Sequence, residues 1–217
     1  MREGTRKTSD AMKEIPILFS APMMRANLAG VKDVTRRIVK RAHIITTDDR
    51  TGVTDAKCPY GSPGDVLWAK ETWQYAGFSD EGEPTIRYAA DNAIRWPDVP
   101  EEWFDRVADI WAALSRPENF MIDGKAADRK CRPSIHMPRW ACRFTATVVS
   151  VRIERLQEIT EEDCAREGIA THFNGHAISG LRHEYAALWD SINGEGSWAA
   201  NPWVWRIEYR NPHKEYA

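Results

Sequence analysis

The chain has 217 residues, of which 42% are hydrophobic, and a formal net charge of −2. This apolar content is enough for one domain with a sizeable core. The near-neutral charge argues against bulk electrostatic binding to a nucleic-acid duplex, while a single nucleotide or a short single strand stays within reach.

The first 15 residues are polar and charged, and they predict a flexible N-terminal arm (1–15) before a single domain over 16–217. A secretory signal and an apolar run of roughly 20 residues are both absent from the sequence, so we expect a cytoplasmic protein with no membrane partner. The four cysteines form no CxxC pair, which favours free thiols. A zinc site built from Cys58, Cys131, His136 and Cys142 is an alternative, but the spacing matches no tight ligand pattern, so we expect no metal and no cofactor.

The segment 16–40 combines an apolar pattern with an unusual cluster of cations. Residues 16–20 predict a strand, and a short helix follows as far as Ala29-Gly30. Residues 31–39 are expected to be extended, which would bring Lys32 and Thr35 close together at the start of a strand. Two arginines follow directly, at 36 and 37. A lysine, a hydroxyl and two guanidiniums beside an apolar helix indicate a site for a polar or anionic ligand.

The middle of the chain predicts a strand followed by a long insertion. Residues 41–63 are rich in Thr, Asp, Gly and Pro and predict a loop. A turn at Gly64-Asp65 leads into a strand over 66–73. The segment 74–130 is interpreted as an insertion with a strand at 85–89 and a helix over 97–114, whose apolar residues recur at helical spacing.

The last third of the chain carries the clearest strand pattern. Residues 131–141 predict a bent loop, and 142–156 a long strand. A helix with Thr160 as N-cap runs to Gly168, and 171–180 are expected to form a loop. A second helix covers 181–192 and a final strand 202–209. This order predicts an α+β fold, a small and mostly antiparallel β-barrel decorated with helices and interrupted by a helical insertion.

Four stretches resemble one known family: residues 17–37 (ILFSAPMMRANLAGVKDVTRR), 64–73 (GDVLWAKETW), 132–169 and 201–209 (NPWVWRIEY). They are similar to the ASCH domain, a PUA-like β-barrel, in the longer form often found in phages and prophages. The most specific part of the resemblance is a glycine–x–lysine–x–x–threonine–arginine signature, which here comprises Gly30, Lys32, Thr35 and Arg36.

The resemblance implies an activity and three catalytic residues. Small bacterial ASCH proteins of this type are amidohydrolases that remove the acyl group from N4-acetylcytidine and related N4-acylated cytosines. Their lysine and threonine correspond to Lys32 and Thr35, and their glutamate to Glu167. The alternatives for the acid are Glu161, Glu162 and Asp163. This chain is considerably longer than the small enzymes, and it has Asp33 where a threonine often follows the lysine.

The proposed chemistry assigns a role to each side chain. Thr35 is the candidate nucleophile and needs a neighbouring base, which Lys32 can provide if burial lowers its pKa. Glu167 would hold Lys32 or protonate the leaving amine. The candidate substrate-binding residues are two arginines for phosphate or developing charge, a tryptophan for base stacking and three loop residues, namely Arg36, Arg37, Trp68, Ser134, His136 and Arg139.

The residues alone leave other interpretations open. A lysine and a threonine at a strand start are often surface residues, arginines often form surface ion pairs, and tryptophans are often part of the core. Two other functions would use the same basic cleft, namely a module that binds RNA or a modified base, and a single-strand ribonuclease. The expected partner is a modified cytosine nucleoside or a short single-stranded RNA, and the oligomeric state is open.

Overall fold

The computed structural model describes residues 11–40, 44–48, 52–78, 84–114, 121–122, 125–126, 131–169, 172–173, 176–177 and 180–214. Most of the arm predicted at 1–15 and parts of the insertion predicted at 74–130 lie outside these ranges. The first strand begins at Glu14, inside the segment predicted as the arm.

The described residues form strands and helices with the following bounds. The strands are β1 (Glu14–Leu18), β2 (Val34–Ile38), β3 (Ile44–Asp48), β4 (Gly52–Ala56), β5 (Val66–Lys70), β6 (Trp73–Phe78), β7 (Pro84–Tyr88), β8 (Ile94–Arg95), β9 (Met121–Ile122), β10 (Lys125–Ala126), β11 (Thr145–Arg155), β12 (His172–Phe173), β13 (His176–Ala177) and β14 (Trp203–Arg210). The α-helices are α1 (Ala21–Leu28), α2 (Phe104–Leu114), α3 (Glu161–Arg166) and α4 (Leu181–Asn193).

A five-stranded sheet in the order β1-β5-β11-β14-β2 forms the centre of the molecule. The β1–β5 pair is parallel and the other three pairs are antiparallel. The α+β class is therefore confirmed. Within the described strands β1 and β2 are open edges of this sheet, so the closed PUA-like barrel stays a prediction.

One core packs between this sheet and α1. Its fully buried members include residues from α1, β5, β11 and β14, namely Met24, Leu67, Val148 and Ile207. In β11 the pairing with β14 shifts register between Val148 and Ser150, which marks a bulge or a similar irregularity. Such a shift changes which side chains face the core, and it explains why both faces of this strand carry apolar residues.

The insertion has a sheet and a core of its own. Strands β6, β7 and β8 form a three-stranded sheet that packs with α2 and with the loop 131–141 around Trp73, Tyr88, Val107 and Met137. The predicted helix starts later than 97, with a 3₁₀ turn at 101–103 before α2. Prolines at 97 and 100 explain this, because the residue before a proline is disfavoured in the helical conformation.

Four local predictions need correction. The segment 41–63 contains the β3–β4 hairpin, and two-residue strands β12 and β13 pair within 171–180. The strand predicted over 66–73 ends at Lys70 and β6 begins at Trp73, and the buried Glu71 between them pairs with Arg143. Residues 31–33 precede β2 and form a turn-like connection, since the N–H groups of residues 31 and 32 donate to the carbonyl of Ala26.

Gly168 lets the end of α3 approach α1 closely. Its φ is +92°, and a Cβ built there would lie 2.6 Å from Cβ of Ala26 and 3.5 Å from Cβ of Lys32. Gly180 has a similar φ of +85°, but its added Cβ meets nothing within 4 Å. The two glycines therefore share the left-handed conformation and differ in packing.

We expect Gly168→Ala to destabilise the fold more than Gly180→Ala. Both variants incur about 1–2 kcal/mol for a left-handed alanine, and Gly168→Ala adds about 1–3 kcal/mol for overpacking. Urea unfolding of the two variants measures the difference. Equal losses would show that the approach of α3 to Ala26 relaxes without cost.

Candidate functional site

Lys32 lies almost completely buried, with 1% of its surface exposed. Its Nζ donates to Oε2 of Glu167 at 2.6 Å, to the Glu167 carbonyl at 2.9 Å and to the Val34 carbonyl at 2.7 Å. An ammonium has three donors, so each N–H of Lys32 has an acceptor. The backbone is also held, since the Lys32 carbonyl accepts a hydrogen bond from Nδ2 of Asn211 at 2.8 Å.

Glu167 is the acid that meets Lys32. Among the four sequence candidates, Glu161 and Glu162 are exposed, and Asp163 pairs with Arg36 and Arg206. Glu167 follows the last turn of α3, and this places its side chain over the start of β2. The structure thus separates the alternatives that spacing left open.

Arg36 binds carboxylates of the protein itself. Its guanidinium donates to Glu154 at 2.8 Å, to Oε1 of Glu167 at 3.2 Å and to Asp163. Arg206 holds the same Asp163 with two hydrogen bonds of 2.8 and 3.1 Å. Substrate binding by Arg36 stays a prediction; in the structure its guanidinium pairs with these three acids and contacts Glu167.

Burial and the neighbouring charges set the protonation of the site. Burial lowers the pKa of Lys32, the charge of Glu167 opposes this, and the nearby Arg37 and Arg36 add to the lowering. Burial and the Glu167 charge raise the pKa of Tyr185 well above its usual value, so this phenol stays protonated. Its hydroxyl donates to Oε1 of Glu167 at 3.2 Å. Arg36 and Tyr185 together fix one oxygen of Glu167, while Lys32 holds the other.

A cavity of about 430 Å³ opens over these groups. Six of the predicted site residues line it, namely Lys32, Thr35, Arg36, Arg37, Ser134 and Glu167. Aromatic and apolar side chains from three parts of the chain complete the wall, including Phe19, Tyr60, Tyr185, Leu188 and Trp189. The volume falls in the range of about 300–1,000 Å³ that is typical of small-molecule sites.

Three predicted residues lie elsewhere. Trp68 alternates in β5 with the buried Leu67 and Ala69, so it faces away from the core. His136 and Arg139 line a different cavity of about 590 Å³, beside Trp103. The loop 131–141 folds into two 3₁₀ turns, and of its predicted residues only Ser134 lines the first cavity.

Sequence reasoning missed several members of the site. The helical pattern places Tyr185 on the apolar face of a helix, and this pattern indicates no role for its hydroxyl. Glu154 lies on β11 and Arg206 on β14, and both side chains are buried. A charged residue that recurs on the inward face of a predicted strand is the signal that indicates such a buried network.

The described residues also bear on metal binding and on membrane insertion. Within these ranges, no group of three or more His, Cys, Asp or Glu side chains is arranged to hold a metal ion. In the same part of the chain, no helix combines the length and the apolar character that a bilayer-crossing segment needs.

Comparison with known proteins adds no relative: no family model, curated protein or solved structure matches this chain. The site is therefore interpreted from its own geometry.

The pairing of Asp163 with two arginines predicts a pH-dependent stability. Burial would raise the pKa of Asp163, but hydrogen bonds from Arg206 and Arg36 outweigh it and lower the pKa from 3.8 to about 2. A carboxyl with a lowered pKa stabilises the fold above its unfolded value of 3.8, and this stabilisation disappears as the pH falls towards 2.

We expect Asp163→Asn to destabilise the protein at pH 7 by about 1–3 kcal/mol, because it removes the carboxylate that accepts hydrogen bonds from the buried guanidinium groups of Arg36 and Arg206. The difference in stability from the wild type should narrow as the pH falls from 4 towards 2, because Asp163 binds a proton in the unfolded chain before it does so in the folded protein. Urea unfolding between pH 7 and pH 2 measures the difference in free energy of unfolding between the variant and the wild type. Asp105→Asn, on the exposed start of α2, is the control. A gap that does not change with pH would contradict the assignment.

Proposed function

We propose that this protein is an amidohydrolase that removes the acyl group from an N4-acylated cytosine nucleoside such as N4-acetylcytidine, on a PUA-like barrel of the ASCH type. One observation carries the proposal. Lys32 and Thr35 line the same cavity as Glu167, which lies 135 residues from Lys32 in the sequence, and Oε2 of Glu167 is 2.6 Å from Nζ of Lys32.

The chemistry follows from these three groups. Burial lowers the pKa of Lys32, so it loses its proton more readily than an exposed lysine, and in the neutral form it accepts the proton of the Thr35 hydroxyl. The Thr35 oxygen attacks the acyl carbon and forms a tetrahedral adduct. Lys32 then returns the proton to the departing N4 amine. Water hydrolyses the acyl ester on Thr35 and releases the carboxylic acid.

Glu167 keeps Lys32 in position during these steps. It holds the Nζ from one side-chain oxygen and from its own carbonyl, while Arg36 and Tyr185 hold the other oxygen. A base that is fixed in this way loses little further freedom when the substrate binds. The ring of Phe19 and other aromatic groups of the wall offer surfaces on which a pyrimidine can stack.

A second candidate function rests on the same lysine. Because all three Nζ donors have acceptors, Lys32 is well satisfied as a cation, and a cation has no lone pair to act as a base. In this alternative the cavity binds RNA or a modified base and catalyses nothing.

The Thr35 hydroxyl separates the two candidates. We expect Thr35→Val to lower the release of cytidine from N4-acetylcytidine by at least about 1,000-fold, since it removes the nucleophile. Thr35→Ser keeps a hydroxyl and should retain a measurable rate. Chromatography of the products and calorimetric binding of N4-acetylcytidine are the two measurements.

The matched control is Thr85→Val, at a buried threonine of β7 in the other sheet. It should fold and turn over like the wild type. If the wild type binds N4-acetylcytidine without releasing cytidine, the binding module is the correct function. Full turnover by Thr35→Val would rule out the proposed nucleophile.

The rate of deacylation should depend on pH through Lys32. We expect kcat/KM to rise with pH as Lys32 loses its proton. The Glu167 charge raises the pKa of Lys32 against the effect of burial, so Glu167→Gln should shift this rise to lower pH and also reduce the maximal rate. Glu162→Gln, on the exposed side of α3, is the control and should leave the profile in place. An unshifted rise in Glu167→Gln would show that another group titrates.

A further inference from the structure

The cations around the main cavity differ in how they are compensated. Lys32 and Arg36 each form ion pairs with buried carboxylates. Arg37 lines the same cavity, yet no carboxylate within the described residues forms an ion pair with it. The guanidinium of Arg37 donates a hydrogen bond to the carbonyl of Leu18 at 2.6 Å, and it lies 5.4 Å from the ring centroid of Phe19.

The guanidinium of Arg37 is arranged to receive an anion. The Leu18 carbonyl and the Phe19 ring restrict its position, and one hydrogen bond uses only one of its five donors. It lies near the ammonium of Lys32, and like charges in a partly desolvated cavity repel each other. An anionic ligand group would relieve this repulsion and accept a bidentate pair of hydrogen bonds from the planar guanidinium.

Arg37 would hold the anionic group of a ligand close to Thr35, the proposed nucleophile. Thr35 and Arg37 are two residues apart in β2, so their side chains point to the same face, roughly 7 Å apart along the strand. The positive charge of Arg37 therefore lies near Thr35 in the same cavity.

We propose that the substrate of this cavity carries a phosphate group bound by Arg37, and that the protein acts on an N4-acylated cytosine nucleotide in preference to the free nucleoside. The identity of the base and the deacylation rest on the proposed function. The phosphate site rests on Arg37 itself. The phosphate belongs either to a mononucleotide or to the backbone of an RNA strand, and the experiment distinguishes these sources.

Three substrates test the proposal: N4-acetylcytidine, its 5′-monophosphate, and a short oligoribonucleotide that contains N4-acetylcytidine. We expect kcat/KM for at least one phosphorylated substrate to exceed that for the nucleoside by about 10- to 100-fold, the gain of a charge-assisted hydrogen-bond pair. Arg37→Gln should reduce this ratio to near one, and Arg37→Lys should leave an intermediate ratio. High salt should also reduce it.

Arg95→Gln is the matched control, since it removes one positive charge from an exposed strand of the insertion. It should preserve the ratio. A higher rate on the monophosphate identifies a terminal phosphate, and a higher rate on the oligonucleotide alone identifies a backbone phosphate. Equal rates on all three substrates, or a preference that persists in Arg37→Gln, would overturn the proposal.

A binding measurement separates this inference from the proposed function. If no substrate is deacylated, the proposed function fails, and the phosphate site is judged by calorimetry with cytidine 5′-monophosphate and cytidine. Tighter binding of the monophosphate that is lost in Arg37→Gln supports the site. Equal affinities would overturn it. Arg37 is partly exposed, and thermal unfolding of the variant checks that its fold is retained.

Discussion

The structure depends on the neutralisation of three arginines that lie side by side in the central sheet. Arg36 of β2 is paired in register with Arg206 of β14, and Arg206 is paired with Arg152 of β11. Like charges directly opposite each other destabilise a sheet. The strands can align in this way only because acids lie among the arginines, and Glu154 accepts hydrogen bonds from both Arg36 and Arg152.

The second acid comes from a helix, and this fixes where the site forms. Asp163 of α3 bridges Arg36 and Arg206, so α3 must dock over this part of the sheet. Thr160 caps the helix by accepting a hydrogen bond from the N–H of Asp163. Glu167, one turn further along, then reaches Lys32. The charge balance of the sheet thus determines the position of the acid that the proposed reaction uses.

Local patterns predicted the parts of this arrangement that depend on near neighbours in sequence. The long strand β11, the strand β14, the helix α4 and the cap at Thr160 follow from alternation, helical spacing and capping chemistry. The signature around Lys32 predicts three residues that the structure brings to one cavity, namely Lys32, Thr35 and Glu167. Such patterns do not predict which residues lie opposite each other on neighbouring strands. The sequence shows that Arg36 is a cation, but only the pairing of the strands and of α3 shows that it lies among three acids.

The fold compensates the buried charge of Asp33, the residue that follows Lys32. The resemblance leads one to expect a threonine after Lys32, and a buried carboxylate there needs compensation. Oδ1 of Asp33 accepts a hydrogen bond from Arg166 of α3 at 2.9 Å, and Oδ2 accepts one from Lys214 at 2.5 Å. Asp33 is not among the residues that line the cavity. The charge of Asp33 therefore holds α3 and the segment after β14 close to residues 31–33. Differences in substrate are expected to depend on Arg37 and on the other residues that line the cavity.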